Sequence, residues 1–76
     1  MNNARRKKIE DINDELGKLL ERLEELRDEE QEAYDNLPEG IQDSERGENM
    51  YNAIDNIESA ISSMEEIADY LNEAIA

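Results

Sequence analysis

Apolar residues recur along the first half of the chain at alternating spacings of three and four. This pattern is typical of the a and d positions of a heptad repeat, whose side chains form the seam between two packed helices. It predicts one long amphipathic helix, at about residues 4–36, with every a and d side chain in the seam. The series consists of Ile9, Ile12, Leu16, Leu19, Leu23 and Leu26, and continues in register to Glu30, Ala33 and Leu37.

The second half of the chain carries the same spacing and predicts a second helix at about residues 44–75. Its g positions, Ala53, Ala60, Ile67 and Ala74, are also apolar. Three apolar positions in every seven make a stripe wider than one neighbouring helix covers, as in the helices of a four-helix bundle. The a and d positions are Met50, Ile54, Ile57, Ile61, Met64, Ala68, Leu71 and Ile75.

The segment between the two repeats, residues 37–43, has the composition of a turn. Pro38 cannot continue a helix, and Gly40 supplies backbone freedom for a reversal of direction. Two long helices joined by so short a loop must fold back on each other. We therefore predict an all-α fold, an antiparallel helical hairpin of the coiled-coil type, as the single domain of residues 1–76.

The start of the second helix has recognisable capping residues. Asp43 or Ser44 is the expected N-cap, because a short polar side chain there can accept a hydrogen bond from a free backbone N–H. Glu45 and Glu48 then place negative charge in the first turn, where the helix dipole favours it. Gly47 lies in the same turn and is an expected weak point, since glycine is a poor helix former.

A hairpin of two helices leaves part of the wide stripe of the second helix facing water. A chain of 76 residues without cysteine cannot rely on disulfides, so oligomerisation or very regular helix packing must stabilise it. We predict that two hairpins pair into a homodimeric four-helix bundle; a monomeric hairpin and one completed by a foreign helix are the alternatives. The predicted dimer and core stripe comprises Ala53, Ile54, Ile57, Ala60, Ile61, Met64, Ile67 and Leu71.

The composition argues against catalytic and metal-binding chemistry. The chain has no histidine and no cysteine, which removes the commonest general base, the best nucleophile and thiolate ligands. Two acidic stretches begin like calcium-binding loops, at Asp11 and Asp35, but carry arginine, Arg22 and Arg46, at the twelfth position where glutamate is needed. We predict a protein that is not an enzyme and binds no cofactor or metal.

The net charge of −14 reflects 22 acidic against 8 basic residues. Nucleic acids and anionic membranes are bound by basic surfaces, so neither is an expected direct partner. The chain has no apolar run long enough to span a membrane, and its first residues lack the apolar stretch of a secretory signal. A cytoplasmic location is therefore expected.

The basic residues are concentrated in the first helix, which holds seven of the eight. In a hairpin the cluster Arg5–Lys8 should lie beside the acidic residues of segment 65–73, and we expect ion pairs there that favour the antiparallel arrangement. Glu30 occupies a seam position. It should either reach water where the seam frays near the loop, or form an ion pair with Arg46.

Three tyrosines are the only aromatic residues, and two of them, Tyr34 and Tyr51, should face each other near the loop. They could close the end of the bundle together with Leu37, Ile41 and Met50, or they could anchor a partner protein. The loop region does not follow the heptad, and loops on rigid scaffolds are common binding sites. The candidate partner-binding residues are Tyr34, Asp35, Leu37, Glu39, Ile41, Asp43, Glu45 and Tyr51.

The start MNNARRKKI, the loop DNLPEGIQDSERG and the segment AIDNIESAI resemble small acidic helical proteins encoded by phages and prophages of Gram-positive bacteria. The resemblance spans most of the chain, and its specific part is the loop. It implies a phage or mobile-element origin and a location in the host cytoplasm. It also implies inhibition of a host protein, such as a defence protein, through binding.

These observations predict a noncatalytic protein-binding module. Three other functions are compatible with the sequence. The acidic surface could imitate nucleic acid and block a DNA- or RNA-binding enzyme. A pocket between protomers could hold a small molecule. The chain could also be a purely structural bundle.

Overall fold

Two α-helices form nearly the whole molecule. The computed structural model describes all 76 residues, with α1 at Asn3–Asp35 and α2 at Glu45–Ala74. The two helices pack against each other as an antiparallel hairpin that measures 58 × 15 × 13 Å and contains no strand. The predicted all-helical hairpin is confirmed.

Short polar side chains define where α1 begins and ends. Asn2 caps the N-terminus, since its side-chain oxygen accepts a hydrogen bond of 2.8 Å from the backbone N–H of Arg5. At the other end the N–H of Asn36 still donates to the carbonyl of Glu32, over 3.0 Å. Pro38 follows within two residues and cannot donate, so the helical hydrogen bonds stop there.

The loop between the helices consists of successive tight turns. The N–H of Ile41 donates to the carbonyl of Pro38, and the N–H of Ser44 donates to the carbonyl of Ile41, each over 3.0 Å. Gly40 between them has a φ of +88°, in the left-handed region that glycine adopts without steric cost. The loop is therefore a hydrogen-bonded structure rather than a loose linker.

Ser44 caps α2, and Gly47 allows the loop to pack on the first turn of this helix. The Ser44 hydroxyl accepts a hydrogen bond of 3.4 Å from the N–H of Gly47 and donates to the carbonyl of Ile41. Gly47 is buried, and a Cβ atom there would lie 2.6 Å from the Cα atom of Gln42. Glycine at position 47 is thus required by close packing, which corrects its interpretation as a weak point.

Two contacts between the helices establish their register. The side-chain amide of Asn13 donates to the side-chain oxygen of Asn72 over 2.8 Å, and the rings of Tyr34 and Tyr51 lie 6.3 Å apart. Both pairs of residue numbers add to 85, so residue i of α1 lies level with residue 85 − i of α2 throughout the hairpin. All four residues occupy e positions, which places the two e rows on the same side of the hairpin.

The face of α1 that contacts α2 differs from the predicted one. The residues at a are half-buried as expected, but the second contact row is e, not d. Ile12, Leu19 and Leu26 at d are 52%, 47% and 53% exposed, and Ala33 is exposed too. The half-buried contact rows contain Arg6, Ile9, Asn13, Leu16, Leu20, Leu23, Arg27, Glu30, Tyr34 and Leu37.

The e row replaces the d row at the contact because α1 has apolar residues on both sides of its a row but only one neighbouring helix to cover them. A small rotation about its own axis exchanges the d row for the e row. This rotation brings Leu20 towards α2 and allows the contacts of Asn13 and Tyr34 across the e side. The d row is the part of the stripe that remains uncovered.

The contact face of α2 follows the predicted a and d positions, but its core is small. Ile54 and Ile61 are the only buried apolar side chains of the molecule, and neither is completely shielded from solvent. The other a and d residues of α2 are half-buried at Met50, Ile57, Met64, Ala68, Leu71 and Ile75. The hairpin alone therefore removes little apolar surface from water.

Candidate protein-interaction surfaces

One side of the hairpin carries two neighbouring rows of exposed apolar residues, which we call the d/g face. In an antiparallel pair whose e rows share one side, the d row of α1 and the g row of α2 share the other. The register places Leu19 within one residue of the level of Ile67, and Leu26 within one residue of the level of Ala60. The d/g face consists of Ile12, Leu19, Leu26 and Ala33 of α1 and Ala53, Ala60, Ile67 and Ala74 of α2.

An apolar groove runs along the middle of the d/g face. It has a volume of about 350 Å³ and is lined by Leu19, Arg22, Leu23, Leu26 and Met64. Ile67, one turn from Met64, is 49% exposed although it belongs to the apolar stripe. Side chains of this kind bind another apolar surface more favourably than they bind water.

The same side of α2 carries no charge from Asn49 to Ala74, although 39% of the residues in the chain are charged. The c row, which borders the g row on the helix surface, contains only uncharged residues, and its Tyr70 is 65% exposed. The cores of protein interfaces are depleted in charge and enriched in tyrosine and methionine. The uncharged c row consists of Asn49, Asn56, Ser63 and Tyr70.

The opposite side of the hairpin carries a second surface at the loop end, which we call the tyrosine face. The rings of Tyr34 and Tyr51 are tilted by 55°, and Tyr51 is 61% exposed. Grooves of about 470 and 250 Å³ flank this ring pair, and no lysine or arginine lines either one. The acidic residues of the two grooves are Asp43, Glu48, Asp55 and Glu58, and none of them forms an ion pair.

The structure divides the predicted partner-binding residues between several places. Tyr34, Tyr51 and Asp43 lie together on the tyrosine face. Glu45 lines a different groove, of about 490 Å³, on the side of the d/g face. The remaining predicted residues surround the loop; Leu37 is half-buried, and the exposed ones are Asp35, Glu39 and Ile41.

Part of the tyrosine face lies outside the residues predicted from the sequence. Gln42 lines one of its grooves, and its amide donates a 3.0 Å hydrogen bond to the carbonyl of Tyr34, which ties the loop to the last turn of α1. Glu48, Asp55 and Glu58 were missed because the prediction stopped at the loop. They occupy the b and e positions of α2. Following the e row along α2 from Tyr51 would therefore have identified Glu58 and the neighbouring b positions.

The predicted ion pairs between the helices do not form. Both ion pairs of the molecule lie within α1: Lys7 with Asp11, at 3.3 Å, and Arg27 with Asp28, at 3.2 Å. Lys7 donates a hydrogen bond to the Asp11 carboxylate, and this bond, followed by the negative charge of Asp11, raises the pKa of Lys7. Lys7 occupies an f position and points away from α2, whereas Arg6 lies half-buried at the seam.

Glu30 is half-buried and lines the same open groove as Arg46. The two side chains form no ion pair, so the alternative of a seam ion pair is wrong. The groove is open at the loop end of the hairpin, and water reaches Glu30 there.

The hairpin has no cluster of metal-binding side chains and no membrane-spanning helix. No three acidic side chains are close enough together to hold a metal ion. Neither helix is long and apolar enough to cross a membrane. No protein-family model matches the chain, and no curated protein or solved structure is significantly similar to it.

Proposed function

We propose that the chain is a noncatalytic protein-binding module that works as a homodimeric four-helix bundle. The observation that carries the proposal is the exposed d/g face. A hairpin whose only buried apolar side chains are Ile54 and Ile61 has too small a core for a 76-residue chain, while it leaves a full apolar row of α1 in water. Covering that row supplies the missing core.

The size of the face suits a second copy of the same chain. One side of the hairpin, 58 Å long and 15 Å wide, has a projected area of about 870 Å², close to the ~800 Å² that each partner buries in a standard interface. The alanines of the g row, such as Ala53 and Ala60, let a neighbouring helix approach closely. The carboxylates of α2 lie on its other sides and stay in water in this arrangement.

The tyrosine face would then remain free for a different protein. Exposed tyrosine beside unpaired carboxylates suits a partner surface that offers arginine or lysine, because such cations bind both aromatic rings and carboxylates. We propose that the partner is a host protein, that binding inhibits it, and that the chain originates from a phage or another mobile element. The support for the last three points is the resemblance of the loop sequence.

The test compares the native protein with Tyr51→Ala in affinity capture from a Gram-positive cytoplasmic lysate. The same host protein should be captured by the native chain and by the control Ser59→Ala, an exposed f position of α2. Tyr51→Ala should reduce that capture at least tenfold, a loss of about 1.4 kcal/mol or more for an interface anchor. Light scattering should give twice 8.8 kDa for all three proteins.

Two results would contradict the proposal. A mass of 8.8 kDa at micromolar concentration would exclude the homodimer. If Tyr51→Ala captured the same host protein as fully as the native chain does, the tyrosine face would be excluded as the partner-binding surface. A steep loss of capture between low and moderate salt, with equal losses for any removed carboxylate, would instead favour imitation of nucleic acid.

A further inference from the structure

We infer that the two copies pair through their d/g faces with the loops at opposite ends of the bundle, so that α1 packs against α1 and α2 against α2. This inference rests on the proposed homodimer and adds its topology. A two-fold axis can join two hairpins face to face in two ways. An axis along the bundle places both loops at one end and α1 over α2, whereas an axis across the bundle gives the inferred arrangement.

The charge distribution along the hairpin favours opposite ends. The half that contains the loop, residues 22–63, has three basic and thirteen acidic residues, a net charge of −10. The open half, residues 1–21 and 64–76, has five basic and nine acidic residues, a net charge of −4. With the loops at the same end, the two halves of net charge −10 would lie beside each other. With the loops at opposite ends, each half of charge −10 lies beside a half of charge −4, which lowers the repulsion.

The residues that border the d/g face favour the same arrangement. On α2 the bordering c row is uncharged, so two α2 helices can pack closely without burying a charge. On α1 the bordering positions include Lys18 and Arg22 in the middle, followed by Glu25 and Glu29 towards the loop. Reversing one α1 against another brings Lys18 near Glu25 of the second copy, while Arg22 lies opposite Arg22 of the second copy and near its Glu25.

The reversal also brings Glu15 near Glu29 of the second copy. That approach lies at the exposed rim, where solvent screens it most. With both loops at one end, every charge that borders the face on α1 would instead meet the uncharged row of α2. Lys18 and Arg22 would then have no acidic residue of the second copy opposite them.

The apolar rows fit each other in the inferred arrangement. If the two-fold axis passes the middle of the d row of α1, Leu19 of one copy meets Leu26 of the other. The same axis then brings Ala60 of α2 opposite Ile67 of the second copy, because Ala60 lies near the level of Leu26 in the hairpin and Ile67 near the level of Leu19. At this central level a large side chain thus meets a small one, which suits close interdigitation, and further out Ala53 meets Ala74.

The absence of cysteine allows a clean distance measurement. A single cysteine introduced by Glu39→Cys in the loop, with a spin label, should give an intermolecular distance of about 50 Å in the dimer, because the residue lies about 25 Å along the axis from the centre. A label at Asn3→Cys, at the open end, should give about 58 Å by the same geometry. The control Glu21→Cys, near the centre, should stay below about 35 Å.

The outcomes separate the inference from the proposal on which it rests. A labelled protein that is dimeric by light scattering but shows Glu39→Cys labels within about 25 Å of each other would have both loops at one end, and would overturn the inferred topology. Long distances at both ends with a short central distance would support it. A monomeric mass for the unlabelled chain would contradict the homodimer itself.

Discussion

At the scale of single residues, the molecule contains two helical glycines with opposite surroundings. Gly47 is buried, and a Cβ atom there would overlap the backbone of Gln42. Gly17 is exposed in the middle of α1, and a Cβ atom there would meet nothing within 4 Å. Intrinsic helix propensity treats both positions alike, so the difference between them is tertiary.

We expect Gly17→Ala to stabilise the protein by about 0.5–1 kcal/mol, because alanine loses less backbone entropy than glycine in a helix. Gly47→Ala should destabilise it by about 1–3 kcal/mol, because the added methyl group must push the loop away from α2. Urea unfolding followed by circular dichroism, at one chain concentration for all proteins, measures both effects. Equal stabilisation by the two substitutions would show that the loop does not pack against Gly47.

At the level of the helices, the d row of α1 lies in a different environment from the predicted one, since it faces water instead of α2. Heptad spacing identifies a and d of α1 as its apolar rows, and the e row adds Leu20 and Tyr34, but a single neighbouring helix can cover only two of the three rows. The hairpin covers a and e, so the d row is free for another chain. A substitution in this row therefore reports on assembly rather than on the hairpin.

We expect Leu26→Asp to raise the dimer dissociation constant more than tenfold, because it places a charge in the centre of a proposed apolar interface. The hairpin itself should stay helical, since Leu26 is 53% exposed there. Ser59→Asp adds the same charge on the outward side of α2 and is the matched control. Sedimentation equilibrium measures the dissociation constants. Similar values for Leu26→Asp and the control would remove the d/g face as the dimer interface.

At the scale of the whole molecule, a net charge of −14 opposes association of two copies. Only two ion pairs form within the hairpin, so few carboxylates are neutralised by a partner. The repulsion acts over about 30 Å at 10 mM salt but over only about 3 Å at 1 M, because dissolved ions screen it. Salt should therefore stabilise the assembled protein.

We expect the melting temperature to rise as sodium chloride increases from 10 mM to 1 M at fixed chain concentration. Thermal unfolding followed by circular dichroism measures this change, and potassium chloride serves as a control for ion-specific effects. A melting temperature that falls with salt would mean that attractive ion pairs outweigh the repulsion. In that case the charge argument for loops at opposite ends of the bundle would also fail.

The number, length and direction of the helices follow from signals that are local in the chain. Heptad spacing is a property of one chain segment, and Pro38, Gly40 and Ser44 act locally on the backbone, so the helix ends and the reversal follow from neighbouring residues. The facing tyrosines Tyr34 and Tyr51 were predicted for the same reason, since a hairpin with a known loop has a nearly determined register.

The rotation of α1, and hence which apolar row stays exposed, depends instead on how the two helices pack. Rotation about a helix axis depends on the sum of contacts with a neighbour, and contacts such as Asn13 with Asn72 appear only when both helices are present. The same holds for Gly47, whose need for a missing Cβ comes from the loop that folds back onto it. Periodicity identifies apolar rows, but packing between helices decides which of them remain free to bind another chain.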